Sequence, residues 1–185
     1  MTIYRFRVYL LPNPHMEFEP ETEVWRDIEV DSRHTLTDLH QTIFDAYDRY
    51  ETHAYEFLTR DEHGIATRSY AHPQMYSGDK SWHPMDDNEI NRFLEHAIPD
   101  DASQAAKQRF RELRKNPPDE RNAAETAIGD LDLDDSQSLF YEFDFGDSWE
   151  HHIDIEEIRQ SSLNGKPVVV DKQGEAPPQY PERSD

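Results

Sequence analysis

Residues Tyr141 to His151, Y-E-F-D-F-G-D-S-W-E-H, gather Asp144, Asp147, Ser148, Glu150 and His151 around a single glycine. These side chains offer carboxylates for a cation, a hydroxyl, and an imidazole able to act as a base or a metal ligand. Two upstream histidines extend the set. His40, His53 and His151, with Asp144 or Asp147, could give a divalent ion such as Zn, Mn or Fe three nitrogen or oxygen ligands and an open position, the arrangement that activates water for hydrolysis. Compact ligand spacings are absent, however: the chain has neither H-E-x-x-H nor H-x-x-x-H, and no G-x-S-x-G or glycine-rich phosphate cradle. The competing expectation is that His40 and His151 are hydrogen-bonded at the border of an aromatic core, and that Asp147 and Ser148 bond the backbone of their own turn.

The elements that must position these groups follow from periodicity. Leu139, Tyr141, Phe143 and Phe145 alternate with polar neighbours, and Trp149, His151, Ile153 and Ile155 do so again after the Gly146-Asp147-Ser148 loop. This is the pattern of a β-hairpin with one buried face. A one-residue slip would send every apolar side chain outward, so the pattern requires an odd loop, read here as pairing Phe145 with Trp149, Phe143 with His151 and Tyr141 with Ile153. In that register Asp144 faces Glu150 and Glu142 faces His152, leaving Asp144, Asp147, Ser148 and Glu150 as the candidate functional loop.

Upstream, Ile3 to Leu11 and Val24 to Val30 read as strands separated by a Pro12-Asn13-Pro14 turn and an acidic loop. Thr35 with Asp38 forms a capping box ahead of Leu36, Leu39, Ile43, Phe44, Tyr47 and Tyr50, which predicts an amphipathic helix over 36–50 with His40 on or beside its buried stripe. Tyr55 and Phe57 suggest a third strand, and Thr67 to Ala71 a partner for it through a turn at Asp61 to Gly64. Beyond the polar stretch from His72 to Met85, helices are expected from Asp86 or Asp87 to Ala97, from Ala102 to Lys115, and briefly from Asp119 to Ile128. Pro167 to Val170 reads as one more strand, and 171–185 as a tail or surface loop. The expected architecture is therefore a single α+β domain over 1–170, with a mostly antiparallel or mixed sheet, one main helix, and a helical insertion at about 86–128.

Forty acidic residues against nineteen basic give a formal net charge of −21, and fourteen of the nineteen are arginine. Three Trp, nine Tyr and nine Phe in alternating patterns favour a packed core over an acidic disordered chain. An acidic, lysine-poor surface suits concentrated salt, where self-repulsion is screened. It also removes the electrostatic drive for phosphate-backbone binding, so nucleic acid is disfavoured as a partner without being ruled out. The exception is the cationic helix face at Lys107, Arg111, Arg114 and Lys115, a candidate docking surface for RNA, a ribosome or another anionic partner. No cysteine is present, which excludes disulfides and thiolate sites. No apolar run reaches membrane-span length and no leader pattern opens the chain, so the expected location is the cytoplasm.

Four segments together resemble a known family: Trp25-Arg26-x-Ile28-Glu29-Val30, Leu36-x-x-Leu39-His40-x-x-Ile43, His53-x-x-x-Phe57, and the long motif from Tyr141 to His151. In this order they resemble the plasmid pRi "open reading frame three"-like family, some members of which carry a TnpR-type, transposon-associated label. The resemblance implies a compact α+β domain of undefined biochemical role. Two departures stand out. Gly174-Glu175-Ala176-Pro177-Pro178-Gln179-Tyr180 keeps the family's proline pair but lacks its cysteine and acidic pair, and the helical segment from about Asp100 to Thr126 is longer than the family pattern. The leading expectation is a non-enzymatic binding or accessory protein, mobile-element associated by label and adapted to high salt, which meets a protein or ion partner and needs no cofactor. The alternatives are a divalent-metal-dependent hydrolase using the His/Asp cluster and an RNA- or ribosome-associated protein.

Overall fold

A computed structural model describes residues 1–60, 66–76, 84–97 and 104–181. Its elements run β1 (Thr2–Leu10), β2 (Val24–Asp31), α1 (Leu36–Ala46), β3 (Tyr55–Arg60), β4 (Ala66–Ala71), α2 (Asp87–Ala97), α3 (Gln104–Lys115), β5 (Asp119–Asn122), β6 (Ser138–Phe143), β7 (Trp149–Gln160) and β8 (Val168–Gln173). The strands form one eight-stranded sheet ordered β5-β4-β3-β6-β7-β1-β2-β8. Among the described residues only β4 and β5 pair in parallel; the remaining pairs are antiparallel, so the sheet is mixed. The α+β expectation holds.

The two sheet faces divide as the alternation requires. Phe6, Val8, Ile28, Val30, Tyr55, Phe57, Leu139, Tyr141, Phe143, Trp149, His151 and Ile153 are buried on the face that receives Leu36, Leu39, His40, Ile43 and Phe44 of α1. On the opposite face, Arg7 grips Asp27 through Nε and Nη2 at 2.7 and 2.8 Å, and Arg5 and Arg159 both bond Glu29 at 2.8 Å. Like charges on adjacent strands would repel, so these alternating signs hold that face together.

Helix α1 begins at the predicted capping box: the Thr35 hydroxyl accepts from Asp38 N–H at 3.2 Å, and the Asp38 carboxylate accepts from Thr35 N–H at 2.8 Å. Its end lies four residues before the predicted one. Asp48 takes a left-handed conformation, φ 53°, and the buried Arg26 donates from Nε to the Ala46 carbonyl at 3.0 Å. A guanidinium at the carbonyl end of a helix satisfies an orphan acceptor and opposes the dipole. The turn keeps Tyr47 fully buried but sends Tyr50 out, 63% exposed.

Two further expectations are corrected. Asp119 to Ile128 is not a helix: Asp119–Asn122 pairs in parallel with β4, and the chain then turns back with Ala123 N–H donating to the Ala71 carbonyl at 3.0 Å. Two prolines after α3 prevent the helix from continuing, and β4 has an open edge whose backbone groups need partners. The helical insertion therefore comprises α2 and α3 alone. Of the tail or surface loop expected over 171–185, the described part, 171–181, is not a tail: β8 runs to Gln173, and the next residues strap across the end of the sheet as a loop. The predicted Asp61 to Gly64 turn, much of the loop before Met85, and residues 98–103 lie outside the described residues.

Gly174, where the strap leaves β8, has φ +75°; a Cβ there would sit 2.9 Å from Val24 Cγ2 and 3.0 Å from the Glu23 carbonyl. Gly174→Ala is expected to cost on the order of 1–3 kcal/mol, because left-handed strain and a clash with backbone act together. Urea denaturation checks this, and a variant as stable as the parent would contradict it.

Candidate functional site

The hairpin β6–β7 forms as predicted, but its register is displaced by two residues. Phe143 pairs with Trp149, Tyr141 with His151, Leu139 with Ile153, Glu142 with Glu150 and Phe140 with His152. The loop is therefore the five residues 144–148. Asp144 leaves the ladder in a left-handed conformation, φ 60°, and Ser148 rejoins it at φ 53°. The Asp144 carbonyl accepts from the N–H groups of Asp147 and Ser148, while its own N–H donates to the Ala54 carbonyl at 2.9 Å. Phe145, expected in the core, is 44% exposed at the loop tip.

Most polar groups of the motif are engaged within the fold. One carboxylate oxygen of Asp144 accepts from Gly146 N–H at 3.2 Å, and the other lies 3.5 Å from His53 Nε2. The Ser148 hydroxyl donates to Glu142 at 2.9 Å. From the β1–β2 connection, Asn13 Nδ2 donates to the Asp147 and Ser148 carbonyls at 2.8 and 3.1 Å. Burial and the facing Glu150 push the Glu142 carboxyl above its ordinary range. Glu56 follows Glu142 on the next strand and is raised too, chiefly by burial.

The three histidines occupy separate places. His40 stacks on Tyr55 with centroids 3.7 Å apart, and its Nδ1 bonds the Tyr141 hydroxyl at 2.7 Å. His151 also packs against Tyr141, centroids 5.1 Å apart, with Nδ1 on the Trp149 carbonyl at 3.1 Å. His53 sits near the surface, beyond Phe143. Tyr141 neighbours both His40 and His151, and Phe143 neighbours both His40 and His53. Among the described residues no group of three or more His, Asp or Glu is placed to hold a metal ion. His40, His53, His151, Asp144 and Asp147 do not form one coordination sphere, which removes the geometry a hydrolytic ion would need. Burial lowers both His40 and His151 to about 3, with His72 adding to the first and Arg49 to the second, so both imidazoles are neutral.

Sequence reasoning missed the strap and what it covers. Gln179 is fully buried: its Oε1 accepts from Tyr50 and Glu51 N–H at 2.9 and 3.0 Å, and its Nε2 donates to the Glu51 carbonyl at 2.9 Å. Its own carbonyl receives Trp149 Nε1 at 3.2 Å. Beneath it Arg49 lies over the Trp149 ring, 4.3 Å from the centroid, and Nη1 donates to the Pro177 carbonyl at 3.0 Å. Burial lowers the Arg49 guanidinium to about 10. No sequence signal marked Arg49, because its neighbours Tyr141 and Trp149 come beside it only in the fold.

At the rim, Tyr180 packs edge-on to Tyr50 at 5.8 Å and bonds His53 Nε2 at 2.8 Å and Glu51 Oε2 at 3.0 Å. Desolvation, the Glu51 bond, and the charges of Glu51, Asp144 and Asp147 push its hydroxyl up to about 12. The cationic candidates lie elsewhere, in the helix pair: Lys115 bonds Asp87 at 2.7 Å, Arg111 bonds Asn91 at 2.9 Å, and Arg114 lies over Phe93 and Phe110. Lys107 also lies on α3 and is half-buried. Among the described residues no helix is long and apolar enough to cross a membrane.

No curated protein matches the chain. A solved structure of a protein of unknown function from Methanosarcina mazei Go1 is similar in fold, with a TM-score of 0.58 at 16% identity, over 96% of this chain and 73% of that one. The profile described as Plasmid pRiA4b ORF-3-like protein matches residues 3–180. Almost the whole described fold, from β1 to the strap, falls inside that match, and the chain belongs to the plasmid pRiA4b ORF-3-like family.

Proposed function

We propose that this chain is a non-catalytic binding module that takes a cationic partner, such as a basic peptide segment, at the rim formed by Tyr50, Glu51, His53, Tyr180 and loop 144–148. One observation carries this reading: the Tyr180 hydroxyl sits among Glu51, Asp144 and Asp147, with the ring of Tyr50 exposed beside it. Aromatic faces next to carboxylates favour an ammonium or guanidinium, through cation–π attraction and direct pairing together. Phe145, exposed on the same loop, adds apolar contact for the partner's alkyl stem. At low ionic strength the chain's net charge of −21 would draw such a partner in. The same composition, with fourteen arginines and five lysines, supports work in concentrated salt. An association with mobile elements would rest on the family description alone.

Calorimetric titration with an oligo-arginine peptide tests the reading. The double variant Tyr50→Ala, Glu51→Gln is expected to bind roughly tenfold or more weakly, since an exposed cation–π contact and an ion pair are lost together. Asp135→Asn, which removes one exposed charge from the loop before β6, at the other end of that strand from loop 144–148, serves as the charge control and is expected to leave affinity nearly unchanged. Equal affinities for all three proteins would reduce the attraction to net charge and overturn the proposal.

A further inference from the structure

We propose that Arg49, enclosed beneath the 176–180 strap, seats a small monovalent anion on its Nε and Nη2 edge. This site faces inward and stands independently of the rim. Arg49 is 6% exposed, and apart from Nη1 on the Pro177 carbonyl its guanidinium nitrogens, Nε and Nη2, have no hydrogen-bond partner among the described residues. Those two N–H groups form the side-on fork that matches an oxyanion or carboxylate. The same chain shows what that edge does elsewhere. Arg7 gives Nε and Nη2 to Asp27 at 2.7 and 2.8 Å, and Arg33 gives them to Asp31 at 2.8 and 3.1 Å. Among the described residues Arg49 bonds no carboxylate, and the carboxylate whose charge acts on it is that of the adjacent, exposed Asp48. A buried cation without a counter-charge is among the costliest groups a fold can hold.

His151 sharpens the chemistry. It is 2% exposed, its Nδ1 is on the Trp149 carbonyl, and its Nε2 has no partner among the described residues. With the proton on Nδ1, Nε2 is an acceptor. The Arg49 charge acts on His151, and an anion reaching both side chains would accept two N–H bonds from Arg49 and offer one O–H to His151, as hydrogencarbonate or dihydrogen phosphate does. A halide would satisfy Arg49 alone. Gln179 and Pro177 form the cover, so exchange requires the strap to lift.

Thermal melting of the full chain at fixed ionic strength and fixed pH tests this, comparing sodium chloride, bromide, hydrogencarbonate and dihydrogen phosphate with sodium gluconate, whose anion is bulkier. The expected result is a saturable upward shift of Tm in a small anion. Arg49→Lys keeps the charge but loses the fork, and is expected to bind roughly tenfold more weakly. If hydrogencarbonate or dihydrogen phosphate saturates at lower concentration than chloride, the hydroxyl-bearing anion is the occupant; the reverse order assigns a halide. Should Arg49→Lys fail to fold, crystals of the parent soaked in bromide give an independent readout, with an anomalous peak expected at the Arg49 fork. Equal Tm values in gluconate and in every small anion, together with only water density at the fork, would overturn the proposal.

Discussion

Trp149→Ala is expected to destabilise the domain by about 4–5 kcal/mol, at the upper end of the range for removing a large buried aromatic. The ring is fully buried, and three separate interactions end on it. Its atoms fill the core beside Phe18, with centroids 6.0 Å apart; its face carries the Arg49 guanidinium; and its Nε1–H anchors the strap at Gln179. Alanine leaves a cavity, and it also strips a buried cation of the π face that compensates it and frees one end of the strap. Since a domain of this size has a total stability of roughly 5–15 kcal/mol, the variant should sit near its unfolding threshold at 37 °C. Urea denaturation followed by circular dichroism measures the difference. A loss below about 2 kcal/mol would mean that the site collapses around the missing ring and that the Arg49 stack contributes little.

Acidification is expected to unfold the protein well before its carboxylates are fully protonated. His40 and His151 stay neutral in the fold down to about pH 3, whereas an unfolded imidazole takes its proton near 6.5. Between those values the unfolded chain binds more protons, so stability falls as pH falls. The contribution is fully present above about pH 6.5 and is lost progressively toward pH 3. With two such groups the slope approaches about 2.7 kcal/mol per pH unit in mid-range, and each histidine contributes on the order of a few kcal/mol. Asp31, held low mainly by Arg33, and Glu29, held low by Arg159 and Arg5, act in the same direction at lower pH. Glu56 and Glu142 act oppositely: their raised carboxyls favour the fold in acid and lose that contribution as pH rises, which offsets part of the slope. Denaturation series at pH 7.5, 6, 5 and 4, with His40→Asn as the comparison, check the effect. A flat profile from pH 7 to 5 would contradict it.

Where a feature depended on periodicity, the sequence revealed it. The capping box at Thr35 and Asp38 marked the start of α1, and the alternation from Tyr141 to Ile155 marked the face that carries the core. The same alternation is blind to a displacement of two residues, because such a shift leaves every side chain on its own face. Only the left-handed turn at Asp144, anchored to Ala54, selects Phe143 opposite Trp149. Asp119-Glu120-Arg121-Asn122 has no strand character of its own and becomes a strand because β4 offers an edge. The strap was illegible for a similar reason: Gln179 and Pro177 work through backbone carbonyls and an amide, which leave no mark on hydropathy. Among the candidate site residues, His40 and His151 are core groups and His53 lies near the surface, while Arg49, Tyr180 and Glu51 were not singled out at all.

The strand order also says something about how the chain must assemble as it emerges from the ribosome. β1 lies between β2 and β7, and Thr2 ends up opposite Gln160. The β1–β2 and β3–β4 hairpins can close early and locally, but they belong to different halves of the sheet, and no pairing between the named strands joins those halves until β6 pairs with β3 and β7 with β1. The motif hairpin is therefore the closing piece. Until residues 138–160 are synthesised, β1 and β3 each present an unpaired, largely apolar edge, a slow and aggregation-exposed interval set by long-range pairing. A chain arrested before residue 138 should accordingly be found with chaperones or in the insoluble fraction, whatever the function of the finished protein.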